Sequence, residues 1–217
     1  MNIDHIFLIN LNHRTDRLNL SKQELEKGGI KNWNRFAAIK YDPKIHGYHD
    51  QFKKYCKLPK LKMTKQYLCG SFGCLLSHFN IIKLAKEKGY KSVLIVEDDF
   101  SFTEDWKENL NNCMDDLEFM EWNMFYLSVT NSTPPNTITD NLISPTRGYT
   151  TTGYIIKAKL YDIILDQILD YGKEIDVFYA EILQKRNDIF APKTPIIVQR
   201  ESYSDILGQN VNYSFCY

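Results

Sequence analysis

Ser92-Val-Leu-Ile-Val-Glu-Asp-Asp-Phe100 is the stretch whose reading decides the fold. Val93 to Val96 are consecutive aliphatic residues. A short apolar run rich in β-branched side chains is the pattern of a strand buried on both faces, as in parallel sheets. The run ends in three acids, Glu97, Asp98 and Asp99. Ligands of open α/β sheets sit beyond the carboxyl ends of the strands. Adjacent carboxylates at such a place repel one another unless something positive joins them. A divalent cation with hard oxygen ligands is one such partner. The alternative is a polar strand end that faces water.

The chain has 217 residues, enough for one α/β domain with a substantial core. It carries 27 basic and 27 acidic residues, so no global charge draws it to nucleic acid or to a membrane. Cys56, Cys69, Cys74, Cys113 and Cys216 are odd in number and lack CxxC spacing. Reduced thiols are expected, not a disulfide frame or a zinc site. Near the N-terminus Asp4 precedes a short apolar run, Ile6 to Ile9. That is neither a signal peptide nor a transmembrane segment, and a cytoplasmic location is expected.

Outward from the acidic strand, His5 to Leu11 reads as a first buried strand. It runs into a helix capped by Thr15 or Asp16 and stopped by Gly28-Gly29. Such a corner places helix N–H groups beside Asn10, Arg14 and Arg17, which suits a phosphate or nucleotide. The plainer reading is a helix start whose arginines pair with Asp16 or solvent. Trp33 to Ile39 is expected as a second strand. Residues 40–66 hold eight lysines with Pro43, Gly47 and Pro59, and read as a basic insertion loop. It is either a lid over an anionic ligand or a solvated face.

Gly70 to Lys88 predicts a helix with Phe72, Leu75, Leu76, Phe79 and Ile82 on one face. Gly70, Gly73 and Ser77 line its other side, with His78 on the flank. Helical glycines cost about 1 kcal/mol each against alanine, so something approaches that face closely. It is a neighbouring strand, or a ligand touched by Ser77 and His78. A Cys74/His78 nucleophile pair at i, i+4 competes with the commoner state of a core cysteine.

After the acidic strand, Thr103 is expected to cap a helix, followed by a strand from Met124 to Val129. A polar loop from Thr130 to Pro145 and a strand from Thr151 to Lys157 come next. A helix stopping at Gly172, a helix capped by Asp176 and a strand from Ile196 to Gln199 complete the chain. Alternating strands and helices predict an α/β fold with a mainly parallel sheet and helices on both faces. No P-loop motif is present. A cation, arginines and an isolated carboxylate permit transfer from a nucleotide-activated donor, with a carboxylate as general base. Tyr126, Tyr149, Tyr154 and Phe178 are aromatics that pack on sugar faces in such a reading.

Four blocks then carry a resemblance. They are Ile9-Asn-Leu11 with Arg14-Thr-Asp-Arg17; Gly70-Ser-Phe-Gly-Cys-Leu-Leu-Ser-His78; Leu94-Ile-Val-Glu-Asp-Asp99; and Thr152-Gly-Tyr154 through Ile175-Asp176 to Gln199 and Ser204-Asp-Ile206. In this order they resemble glycosyltransferase family 25. The resemblance implies a GT-A-like fold and inverting transfer of a hexose, galactose or glucose, from a UDP-sugar to a hydroxyl of a glycan or protein. It implies Mn²⁺ or Mg²⁺ as cofactor, with Glu97, Asp99 and Asp205 as its ligands. It places Asn10, Arg14, Arg17, Ser77, His78, Glu97 and Asp98 around the nucleotide and makes Asp176 the base. Asn12-His13 and the lysine-rich insertion depart from the family pattern and bear on donor and acceptor choice. Two other readings share the acids: a metal-dependent nucleotide-sugar hydrolase, and a glycan- or nucleotide-binding module without turnover.

Overall fold

The computed structural model describes residues 3–57 and 63–212; Cys216 and Pro59 lie outside them. The chain forms β1 (His5–Asn10), α1 (Thr15–Lys27), β2 (Asn34–Ala37), α2 (His49–Tyr55), α3 (Lys65–Glu87) and β3 (Ser92–Glu97). There follow β4 (Phe100–Phe102), α4 (Trp106–Glu118), β5 (Met124–Tyr126), β6 (Thr130–Asn131), β7 (Asn136–Thr137), β8 (Leu142–Ser144) and β9 (Gly148–Tyr149). The last are β10 (Gly153–Lys157), α5 (Tyr161–Tyr171), α6 (Ile175–Phe178), β11 (Ile189–Pro192), β12 (Ile197–Gln199), β13 (Ser202–Ser204) and β14 (Gln209–Val211).

Eight strands make the central sheet in the order β2-β1-β3-β10-β5-β11-β8-β7. By their pairings β1, β2, β3, β5, β7 and β11 run one way, and β8 and β10 the other. The sheet is mixed but mostly parallel in direction, as the alternating pattern requires. β3 sits inside it, between β1 and β10. Its side chains alternate as a pleat demands. Val93 and Ile95 join the core cluster under α3 and α5, while Leu94 and Val96 join the cluster under α1 and α4. Burying each such side chain stabilises the fold by roughly 1.5–3 kcal/mol. Helices therefore cover both faces.

Several local expectations change. α1 has Arg14 at its N-cap position, with no side-chain cap from Thr15 or Asp16. α3 begins at Lys65, because the Thr64 hydroxyl accepts from the Tyr67 amide at 3.1 Å. It is long and apolar enough to cross a membrane by length and composition, yet it is the core helix, buried on several sides. Thr103 does not cap α4; its hydroxyl donates to the Pro195 and Ile196 carbonyls. Glu174, not Asp176, holds the N-cap position of α6, which continues as a π-helical turn through Leu183. The expected polar loop from Thr130 contains β6, β7 and β8. The basic stretch carries α2 and is pinned by Tyr41 and Tyr55, both buried against Phe72.

Gly73 shows what approaches the glycine side of α3. A Cβ there would lie 2.2 Å from the Ile39 carbonyl oxygen and 3.1 Å from the Tyr41 amide nitrogen. Backbone beyond β2, not a ligand, fills that space. Gly73→Ala is therefore expected to lower stability by about 1–3 kcal/mol in urea denaturation. Gly47→Ala, with open space around it, serves as the control. An unchanged midpoint for Gly73→Ala would contradict this packing.

Candidate active site

Parallel pairing sets Ile9 beside Glu97, so the ends of β1 and β3 open at the same place. Asn10, 1 % exposed, donates from Nδ2 to Asp98 Oδ2 at 2.6 Å and to the Arg14 carbonyl at 2.9 Å. Its own Oδ1 accepts from Arg35 Nε at 2.8 Å. Arg17, one turn into α1, reaches both Asp98 Oδ1 and Asp99 Oδ2 at 2.6 Å. One guanidinium thus bridges two of the three acids. Gln199 Nε2 donates to Asp99 Oδ2 at 2.8 Å. Arg200 clamps the backbone beneath, donating to the carbonyls of Asp98 and Phe100 at 2.7 Å each.

Glu97 belongs to a separate network. Its Oε1 accepts from the Thr151 hydroxyl at 2.7 Å and lies 3.2 Å from His78 Nε2. His78 is fully buried, and its Nδ1 is 2.8 Å from the Tyr154 hydroxyl. Tyr154 in turn meets the Tyr179 hydroxyl at 3.1 Å. Although burial pushes the Glu97 carboxyl up, His78, Thr151 and Arg17 together hold it below its ordinary range. Asp98 goes the other way: burial, aided by the charges of Asp99 and Glu97, outweighs Arg17 and raises it to about 6. Burial likewise raises Asp99.

Part of this network lines a cleft of about 640 Å³. Asn10, Arg17, Ser77, Glu97, Asp98, Asp99, Asp176 and Asp205 all reach it, though they come from distant parts of the chain. Arg14 and His78 do not line it. Arg14 pairs instead with Asp16 and Asp205, at 2.8 and 2.6 Å. Asp205 is also held by His13 at 3.0 Å. The hydroxyl of Ser77 is engaged by backbone, donating to the Gly73 carbonyl and accepting from the Ile39 amide. Tyr126, Tyr154 and Phe178 are core residues with no access to the cleft, because β5, β10 and α6 bury them. Arg200 and Thr151 were missed as site residues; an Arg or Thr at the edge of a short strand carries no signal of what it will touch.

Asp176 is half-buried at the first turn of α6. Its Oδ1 accepts from the Val177 amide at 2.8 Å and its Oδ2 from the Thr150 amide at 3.4 Å. Burial raises its carboxyl above the ordinary range, with Glu174 and Glu97 adding to the rise. A carboxylate so placed is a competent proton acceptor.

Asp99 Oδ1 is buried in this site without a hydrogen-bond partner. Together with the Glu97 carboxylate it offers oxygen donors suited to a hard divalent cation. Glu97, Asp99 and Asp205 do not converge as a three-ligand set. Among the described residues the one group whose ligand atoms lie within 4.8 Å of one another is Cys74, His78 and Glu97. There both imidazole nitrogens face hydrogen-bond partners, and burial keeps the Cys74 thiol well above its ordinary range. Within that group His78 holds Glu97 in place. Cys69, Cys74 and Cys113 are free thiols.

The architecture is that of a GT-A-like α/β protein with its cleft at the strand ends. A crystal structure of a glycosyltransferase involved in glycosylation of the major capsid of PBCV-1 shares this fold. Its TM-score is 0.50 at 10% identity, covering 93% of this chain and 94% of that one. The pattern of glycosyltransferase family 25 (LPS biosynthesis protein) matches residues 3–179, and the chain belongs to that family. Procollagen galactosyltransferase 2 of Homo sapiens is 26% identical over 175 residues, which are 72% of this chain and 26% of the human protein. A glycosyltransferase 25 family member of Drosophila melanogaster is 25% identical over 240 aligned positions, covering 96% of this chain and 37% of the fly protein. The chain thus spans about a quarter of the human relative and somewhat over a third of the fly relative.

The raised Asp98 carboxyl gives a pH signature. A group whose folded pKa lies above its unfolded value of 3.8 stabilises fully below that value. The contribution is lost as pH rises through about 6. In chelator, the urea midpoint is expected to fall between about pH 4 and about pH 7, and Asp98→Asn is expected to flatten that fall. Superimposable profiles for the two proteins would contradict it.

Proposed function

We propose that the protein is an inverting glycosyltransferase that moves a hexose from a UDP-sugar to a hydroxyl acceptor. Membership of family 25 and the galactosyltransferase names of its relatives support transfer of a sugar. The single observation that carries the reading is the meeting of Glu97, Asp98 and Asp99 with Asp176 in one cleft. The acids and Arg17 stand where a donor diphosphate is received; Asp176 stands where an acceptor hydroxyl loses its proton.

Direct displacement at the anomeric carbon breaks its bond to the diphosphate oxygen and forms one to the acceptor oxygen, which inverts the centre. Asp176 takes the acceptor proton. Glu97 is held by His78 and Thr151 so that its carboxylate needs little reorganisation. A divalent cation at Glu97 and Asp99 would neutralise charge on the leaving nucleoside diphosphate. Asn10 and Arg17 set the orientation of the acids that receive the donor. The bridge from Arg17 to Asp98 and Asp99 favours a second reading, in which the guanidinium supplies that positive charge without a metal.

UDP release from UDP-galactose and UDP-glucose, with and without a hydroxyl acceptor, in Mn²⁺ and in EDTA, tests both. Acceptor-stimulated release that EDTA abolishes is expected. Release that survives EDTA selects the guanidinium reading, and release indifferent to acceptor means hydrolysis. Asp176→Asn is expected to lower kcat by roughly 10²–10⁴-fold while leaving the fold intact. Parent-like turnover in that variant removes Asp176 as the base.

A further inference from the structure

Thr150 concentrates two unfavourable features at the edge of the cleft. Its φ is +79°, a left-handed backbone that a β-branched residue rarely adopts. Its hydroxyl oxygen is buried and has no hydrogen-bond partner among the described residues. Either feature alone destabilises a fold, and both persist here only because the surroundings impose them. Thr150 lines the cleft, and its amide donates to Asp176 at 3.4 Å. The next residue, Thr151, is spent on Glu97 at 2.7 Å, and the Thr152 carbonyl accepts from the Glu97 amide at 2.9 Å. Residues 150–152 therefore join the base to the acids, and the Thr150 hydroxyl is the one among them that is both buried and without a partner among the described residues.

Neighbouring packing explains how the conformation is held. Gly148 fits against Val129, where a Cβ would lie 2.3 Å from Val129 Cγ2, and Gln184 grips Gly148 through both its amide and its carbonyl at 2.8 Å. The Gly153 end is fixed by close approach to Ile197, 2.5 Å from a notional Cβ. Between these two anchors the chain has no slack to relax Thr150.

We propose that Thr150 is an acceptor-binding residue whose strained backbone aims its free hydroxyl at a hydroxyl of the bound acceptor beside Asp176. The assignment rests on the glycosyltransferase reading. It selects polyhydroxylated acceptors, because a buried hydroxyl left unpaired rejects a ligand that cannot answer it. It commits to the acceptor over the donor hexose because Thr150 contacts the base and its neighbour contacts the acids.

Three variants decide it. Thr150→Gly is expected to raise the urea midpoint by releasing the strain, yet to lower acceptor kcat/KM tenfold or more. Thr150→Val keeps the strained branch and removes only the unpaired hydroxyl, so it is expected to lose activity to a similar degree with a smaller gain in midpoint than Thr150→Gly. Thr150→Ser, which retains the hydroxyl, is expected to recover most of that loss. Affinity for UDP-galactose, read by calorimetry without acceptor, is expected to stay within twofold in Thr150→Val. Weakened UDP-galactose binding with UDP unchanged overturns the acceptor assignment. Parent-like acceptor kcat/KM in Thr150→Val also overturns it. The midpoint needs no turnover: a Thr150→Gly protein no more stable than the parent refutes the strain even if no UDP-sugar is consumed. Absence of turnover in the parent instead refutes the transferase reading.

Discussion

Arg17 held between Asp98 and Asp99 is the contact on which the rest of the site depends. Three carboxylates at the tip of a buried strand repel each other in a medium that screens poorly. One guanidinium answers two of them, and its planar fork suits that task better than a lysine would. Removing one member of such a buried set leaves a charge without compensation, which costs more than an exposed ion pair ever returns. The helix that carries Arg17 must therefore start where it does, immediately after β1.

That requirement propagates through the fold. β1 and β3 are parallel neighbours, so the strand that precedes Arg17 and the strand that ends in acids emerge side by side. Gln199 and Arg200 arrive from the far end of the chain to complete the grip on Asp99 and on the backbone below it. Glu97 is excluded from the arginine bridge and belongs to a chain of hydrogen bonds through His78, Tyr154 and Tyr179 that runs into the core. The acidic triplet thus divides its work. Asp98 and Asp99 are neutralised from the α1 side, and Glu97 is oriented from the α3 side.

Much of the framework was legible in the residues because burial writes itself as pattern. The run from Val93 to Val96 and the apolar spacing along α3 are long enough to name their elements and their faces. Helix caps were not legible: Thr15, Thr103 and Asp176 all have the right chemistry, but which side chain folds back on which amide depends on geometry a residue or two away. β6, β7 and β9 are two residues long and exist through their partners, so no local signal marks them. Tyr126, Tyr154 and Phe178, assigned to sugar faces, lie in the core for a related reason. Tyr154 lies on a strand covered on both sides, and nothing in its neighbourhood in the chain says so. Bringing Asp176 to the acids was legible only through family resemblance, since it lies 77 positions after Asp99.

The most direct measurement is a crystal structure with UDP and Mn²⁺, with the cation located by its anomalous scattering. The account expects a manganese peak beside Asp99 and Glu97, and the diphosphate in the cleft between these acids and the end of β1. Nucleotide bound elsewhere, with Arg17 still bridging Asp98 and Asp99 and no manganese peak in the cleft, would contradict it.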